Sequence, residues 1–189
     1  IGINGNYESF IPKTETRTLR IISVAYVQKI KRIDLIVEAL ALVSDLQIEW
    51  FHAGHSNQSE SDFEQLKKYA VEKLSGNKNI AVTFLGKTGK AELFNLYEKK
   101  QFDVFLNVSE TEGIPVSMME AMSYSVPVIG TNVGGVAEIV SNGENGFLLS
   151  PYPDAYEVAD AIKKFDALDG SVKNIYRKNA FTTWAKKFN

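Results

Sequence analysis

An α/β fold built on a doubly wound, Rossmann-like parallel sheet is the architecture predicted for this 189-residue chain. Three observations predict it. Short apolar runs alternate about six times with stretches whose apolar residues recur at helical spacing. Several of the runs stop at glycine, as strands do where the chain must turn. The composition, 44% hydrophobic and 23% charged, is that of one globular domain able to bury its own core. Such alternation argues for parallel strands covered on both faces, and right-handed crossovers then wind the sheet in both directions.

The elements follow in order along the chain. Leu19 to Ala25 reads as a buried strand, and Ile33, Ile36, Val37, Leu40 and Val43 follow a helical period with Asp34 suited to the first turn. Gln47 to Ala53 is a second strand, stopped by Gly54. Ser61-Asp62-Phe63-Glu64 has capping-box spacing, and Phe63, Leu66, Ala70 and Leu74 form the buried face of the helix it opens. Ile80 to Leu85 is a third strand ended by Gly86; Leu93, Phe94, Leu96 and Tyr97 mark a third helix, and Asp103 to Val108 a fourth strand. Val116 to Met122 reads as a helix, Pro127 to Ile129 and Phe147 to Leu149 as short strands, and Val158, Ala161, Ile162 and Phe165 as a helix face. Val172 to Asn189 is a last helix carrying Trp184.

Composition excludes several classes of function. The absence of cysteine removes disulfides, thiolate metal sites and cysteine nucleophiles. No run approaches the roughly 20 apolar residues of a membrane-spanning helix, and Ile1 to Pro12 is unlike a signal peptide. A formal charge of −2 offers no general basic surface, so no nucleic acid partner is expected. His52 and His55, the only histidines, lack the further ligands of a zinc site; a strand-end structural histidine is the plainer reading, and no metal is expected. Gly86-Lys87-Thr88 resembles the tail of a Walker A loop, but its first glycine would fall at Ala81, inside a strand. Ser117 lacks the second glycine of a nucleophile elbow and an evident histidine partner.

In a doubly wound sheet, ligands bind beyond the carboxyl ends of the strands. The loop after the fourth strand, Asn107 to Pro115, therefore matters most. Glu112 lies just before the helix and Glu120 about one turn into it, with seven residues between them. The helix start aims unpaired N–H groups from Gly113 to Ser117 at that edge, which makes an anion site. Carboxylates there would repel a bare phosphate but accept hydrogen bonds from hydroxyls. A sugar nucleotide offers both chemistries, phosphates and hydroxyls; the plain alternative is two solvated surface glutamates. Lys31 and Arg32, after the first strand, can reach the same phosphates.

In sequence the chain resembles the retaining glycosyltransferases of family 4, also called glycosyltransferase group 1. The likeness is to the C-terminal, donor-binding half of their two-domain GT-B fold and covers nearly the whole chain. Glu112-x7-Glu120-Ala121-Met122 looks like the family's E-x7-E motif, followed by matching segments Pro127 to Val140 and Asn142 to Leu149. The resemblance implies that Glu112 contacts donor-sugar hydroxyls and Glu120 the ribose, while N–H groups around Gly113, Ile114 and Val116 hold sugar and diphosphate. It implies that Lys31 is the phosphate-binding lysine, that Lys31 and Glu112 serve catalysis, and that Gly86 and Lys87 border the base. No metal or other cofactor is implied, only a nucleotide diphosphate sugar as donor.

Ala25-Tyr26 stands where the family usually has Gly-Arg, and Arg32 is the candidate replacement for that cation. Residues 1–18, including an N-G-(x)n-F-x-P-like passage from Ile3 to Pro12, are expected to lead in from another domain. Residues 19–170 would bind the nucleotide sugar, and 171–189 would begin the helix that crosses back to an N-terminal, acceptor-binding half. The expected function is retaining sugar transfer to a hydroxyl of a glycan or lipid-linked acceptor in glycan biosynthesis. The setting implied is cytoplasmic or peripheral at the inner membrane face, and the isolated domain would transfer nothing. A sugar-nucleotide epimerase or hydrolase of the same fold, and a non-catalytic nucleotide-binding module, are the alternatives.

Overall fold

The structure, a computed structural model, describes residues 12–14, 16–56 and 59–189. The predicted lead-in passage from Ile3 to Ile11 lies outside the described residues. Six strands form one sheet: β1 (Thr18–Val24), β2 (Gln47–Ala53), β3 (Ile80–Gly86), β4 (Val104–Asn107), β5 (Val128–Thr131) and β6 (Gly146–Leu149). Their order is β3-β2-β1-β4-β5-β6, every pairing parallel. The chain moves outward from β1 to β3, then crosses over to lay β4 on the other side of β1. The loops after β1 and β4 therefore diverge at one point, the topological switch where such sheets open a crevice.

Alternation along the strands divides the apolar residues between two faces. Ile21, Trp50, Leu106 and Ile129 face one core, with α1 (Ile33–Ala41), α2 (Glu60–Leu74) and α6 (Ala155–Asp166). Their neighbours Ile22, Phe51, Phe105 and Val128 face the other, with α3 (Lys90–Lys100), α4 (Val116–Ser123), α5 (Val136–Ile139) and α7 (Gly170–Lys187). Trp184 of α7 is buried in this second core beside Met118, Met119 and Met122. No helix among the described residues is long and apolar enough to cross a membrane.

The predicted elements are present, with local corrections. Helix α2 is capped not by a box at Ser61 and Glu64 but by Ser59, whose Oγ accepts from the Ser61 N–H at 3.2 Å. Asp103 and Val108 lie outside β4, and the Asp103 carboxylate accepts from the Arg20 N–H and the Lys13 ammonium. The one-turn helix α5 was not predicted; four residues carry too little period to read. His52 is structural: its Nδ1 and the Trp50 indole N–H both meet Ser23 Oγ, at 2.9 and 3.0 Å. Burial lowers its pKa to about 4, so the ring is neutral.

Candidate functional site

Two loops at the switch point build the centre of the site. After β1 the chain makes a 3-10 turn over Lys29–Lys31 and enters α1 through Arg32, which has a left-handed backbone. After β4 it runs from Asn107 to Pro115 before α4. The loops are joined by a hydrogen bond from the Glu110 N–H to the Ile30 carbonyl, 2.8 Å. The second loop is also held from beneath, since Thr131 Oγ1 of β5 donates to the Ser109 carbonyl at 2.6 Å.

This framework brings Lys31 and Glu112 together across 81 residues of sequence, with Lys31 Nζ 2.8 Å from Glu112 Oε1. The Asn107 amide donates to the same oxygen at 3.0 Å while its own oxygen accepts the Ser109 N–H. Burial pushes the Glu112 carboxyl up, but hydrogen bonds from Lys31, Asn107 and Ser109 and the charge of Lys31 outweigh it. The net shift is downward, so Glu112 is ionised at neutral pH. An ammonium has three donors and a carboxylate about four acceptor positions. The pair therefore keeps free donors on Lys31 for an anion and acceptor capacity on Glu112 for a hydroxyl.

Beside the pair, α4 opens with Pro115 as its N-cap residue. The N–H groups of Gly113, Ile114, Val116 and Ser117 take no hydrogen bond within the described residues, while Met118 closes the first turn onto the Pro115 carbonyl. Ile114 and Val116 are exposed, so these N–H groups lie in an open segment. The loop is set in place by Gly134 and Gly135. The Gly135 N–H donates to the Gly113 carbonyl at 3.0 Å, and a Cβ on Gly134 (φ +52°) would fall 1.6 Å from the Glu112 carbonyl oxygen.

Glu120, one turn into α4, is buried, and the ammonium of Lys90 stands 3.5 Å from its Oε1. Burial raises its pKa, and the charge and hydrogen bond of Lys90 offset only part of that rise. Lys90 opens α3, directly after the loop that carries Gly86 and Lys87. Gly86 is buried in a left-handed turn (φ +68°), its carbonyl accepting from the Gly54 N–H and from Thr88 Oγ1. Lys87 is exposed on the rim of an open cleft of about 300 Å³, lined also by Ala25, Tyr26, Gly54, His55 and Thr88. Val24 and Ala25 line both this cleft and the small gap beside Lys31, Asn107 and Ser109, so the two are neighbours.

Of the predicted residues, Lys31 and Glu112 meet directly, with Gly113, Ile114 and Val116 next to them in the chain, while Glu120 pairs with Lys90 and Gly86 and Lys87 lie at the end of β3. The Arg32 guanidinium donates to the Pro153 carbonyl at 3.0 Å and lies 4.0 Å from Glu110, so it ties the first loop to the β6–α6 connection instead of joining Lys31 and Glu112. Three contributors were missed in sequence. Asn107 ends an otherwise apolar strand, a signal that could have found it; Lys90 and the Gly134 contact depend on distant partners and left none. Among the described residues, no three His, Asp or Glu side chains gather as a metal-binding group.

The fold recurs in solved structures. The chain aligns with Anabaena Alr3699/HepE, crystallised with UDP-glucose, at a TM-score of 0.78 and 23% identity, covering 91% of this chain and 45% of that one. The C-terminal domain of the group 1 family protein LpcC from Francisella tularensis aligns at a TM-score of 0.73 and 21% identity, over 95% of this chain and 96% of that domain. In sequence, the chain is 30% identical over 130 residues to N-acetyl-alpha-D-glucosaminyl L-malate synthase of Bacillus anthracis. That match covers 68% of this chain but 31% of the relative, so the chain spans about a third of that protein's length. The family model described as glycosyl transferases group 1 matches residues 7–181. The chain belongs to the group 1 glycosyl transferases.

Proposed function

We propose that the chain is the donor-binding half of a retaining glycosyltransferase. The full enzyme would move a sugar from a nucleotide diphosphate sugar to a hydroxyl of a glycan or lipid-linked acceptor, in glycan biosynthesis at the cytoplasmic side of a membrane. The carrying observation is the Lys31–Glu112 pair beside the α4 N–H groups that have no partner among the described residues, on the same sheet edge as the cleft at Lys87. The diphosphate would lie against the helix start and Lys31, with the donor sugar at Glu112, the ribose at Glu120 and the base over Gly86 and Lys87. The UDP-glucose bound by the HepE protein of like fold supports this class of ligand.

In the proposed reaction, the bond from the anomeric carbon to the diphosphate oxygen breaks as the acceptor oxygen bonds to the same face. The acceptor proton passes to the departing phosphate. Charge grows on that phosphate, where Lys31 and the fixed N–H dipoles stabilise it without reorganising, so a metal ion is not required. The acceptor belongs to an N-terminal half, toward which α7 and the residues before β1 would lead. That half would also exclude water from a cleft that is open here.

The test is calorimetric titration of the 189-residue chain with UDP, GDP and ADP. At least one is expected to bind, and Glu120→Gln is expected to weaken that binding by about 1–3 kcal/mol through loss of a charged acceptor for the ribose hydroxyls. A folded domain that binds none of the three would overturn the donor-site assignment. Unchanged affinity in Glu120→Gln would remove Glu120 from the site.

A further inference from the structure

Lys90 makes no contact with the donor in the proposed function, and its position is not what helix energetics favour. It is the first residue of α3, behind an N-cap glycine that provides no side-chain cap. A helix N-terminus carries a partial positive charge, so a cation there is unfavourable and an acidic residue is preferred. The side chain is nevertheless oriented. Its Nζ lies 3.5 Å from Glu120 Oε1 and 5.1 Å from the centroid of the Phe94 ring, one turn along the same helix. Phe94 in turn packs against Tyr124, which caps the C-terminal end of α4. The ammonium of this side chain, which is 59% exposed, thus stands between a buried carboxylate and an aromatic face.

The carboxylate it meets is poorly supported otherwise. Glu112 has Lys31, Asn107 and Ser109 around it. Among the described residues, Lys90 is the one charged side chain within ion-pair distance of Glu120. The other titratable group facing Glu120 is Tyr97 of α3, fully buried, whose hydroxyl has no hydrogen-bond partner within the described residues. A buried carboxylate with little support tends to take up a proton. A protonated carboxyl surrenders acceptor capacity, which is what two ribose hydroxyls would need from it.

We propose that Lys90 is a positioning residue of the donor site, keeping the Glu120 carboxylate in its charged form so that it can accept hydrogen bonds from the ribose of a nucleoside diphosphate. The proposal rests on the placement of the ribose at Glu120. Lys90 itself touches no nucleotide in it. Its effect is confined to conditions in which Glu120 would otherwise be neutral, which separates it from a phosphate-binding lysine.

The experiment compares the wild-type chain with Lys90→Met, Lys90→Arg and Glu120→Gln. Methionine keeps the length and the packing on Phe94 but removes the charge. Nucleotide affinity is measured by calorimetry between pH 5.5 and 8.0 with whichever of UDP, GDP and ADP binds. In parallel, the ionisation of Glu120 is followed without ligand by the ¹³C shift of its carboxyl carbon. Lys90→Met is expected to move that titration to higher pH. Its affinity is expected to fall at a higher pH than wild type, with a gap of about three- to tenfold where the curves lie furthest apart, closing at pH 8.0. Lys90→Arg follows wild type.

A Glu120 titration unmoved in Lys90→Met overturns the proposal. So does an equal loss of affinity at every pH, which would make Lys90 a direct phosphate ligand. A moved carboxyl titration with no effect of Glu120→Gln on binding leaves the Lys90–Glu120 coupling standing and overturns the ribose placement instead.

Discussion

Lys31→Met is expected to lower nucleoside diphosphate affinity about ten- to hundredfold, since one charge-assisted hydrogen bond to phosphate contributes about 1.5–3 kcal/mol. It is also expected to destabilise the domain by about 2–4 kcal/mol, because it strands a desolvated carboxylate. The side chains of Lys31 and Glu112 are only 20% and 10% exposed, so water cannot replace the lost partner fully. The two effects separate in a double variant. Lys31→Met with Glu112→Gln removes both charges and is expected to recover most of the stability, read by urea denaturation, but none of the phosphate affinity.

Acid separates them again. In wild type the Glu112 carboxyl titrates below its usual range, so the pair's contribution is present at neutral pH and lost as pH falls through that lowered value. In Lys31→Met the main counter-charge is gone and burial raises the same carboxyl, so acidification relieves the variant. The stability gap between the two proteins should therefore narrow on acidification from pH 7 towards pH 4. A gap that is constant across that range would mean that the ion pair contributes nothing and that the loss comes from packing.

The legibility of this molecule follows the range of the interactions involved. Strands such as Leu19 to Val24 and Val104 to Asn107 could be read because burial on both faces leaves unbroken apolar runs, and α1 because its core-facing residues repeat at helical spacing. The cap of α2 was misassigned because Ser59 and Ser61 are equally good caps, and only the backbone decides between them. At the site, Lys31 and Glu112 were legible as loop residues at the ligand edge, since topology alone carries them there. The turning of Arg32 to Pro153 was not, because that carbonyl lies 121 residues away in sequence. Lys90 was hidden for the same reason; at the head of α3 it reads as a solvated charge until α4 is packed beside it.

Gly134→Ala is expected to be as damaging as losing Lys31, although it alters no charge. An alanine Cβ would sit 1.6 Å from the Glu112 carbonyl oxygen and 2.8 Å from its carbon, atoms of the backbone that no rotamer change can move aside. The residue also has φ +52°, a left-handed conformation that costs a non-glycine residue about 1 kcal/mol before any clash. The loop from Glu112 to Ile114 must then separate from the turn at Gly134 and Gly135, breaking the Gly135 to Gly113 hydrogen bond. A destabilisation of about 2–4 kcal/mol is expected. At this chain length that corresponds to a fall in Tm of roughly 5–15 °C.

Binding should suffer beyond that loss of stability. The atoms displaced are those that carry the Glu112 side chain and the N–H groups of Gly113 and Ile114, so nucleotide affinity should drop at least about tenfold even where the variant is fully folded. Gly76→Ala is the control, because a Cβ there meets nothing within 4 Å and the site is remote. It should leave both readouts within about 0.5 kcal/mol of wild type. A folded Gly134→Ala domain with wild-type nucleotide affinity would show that the close approach of these two loops does not position the site.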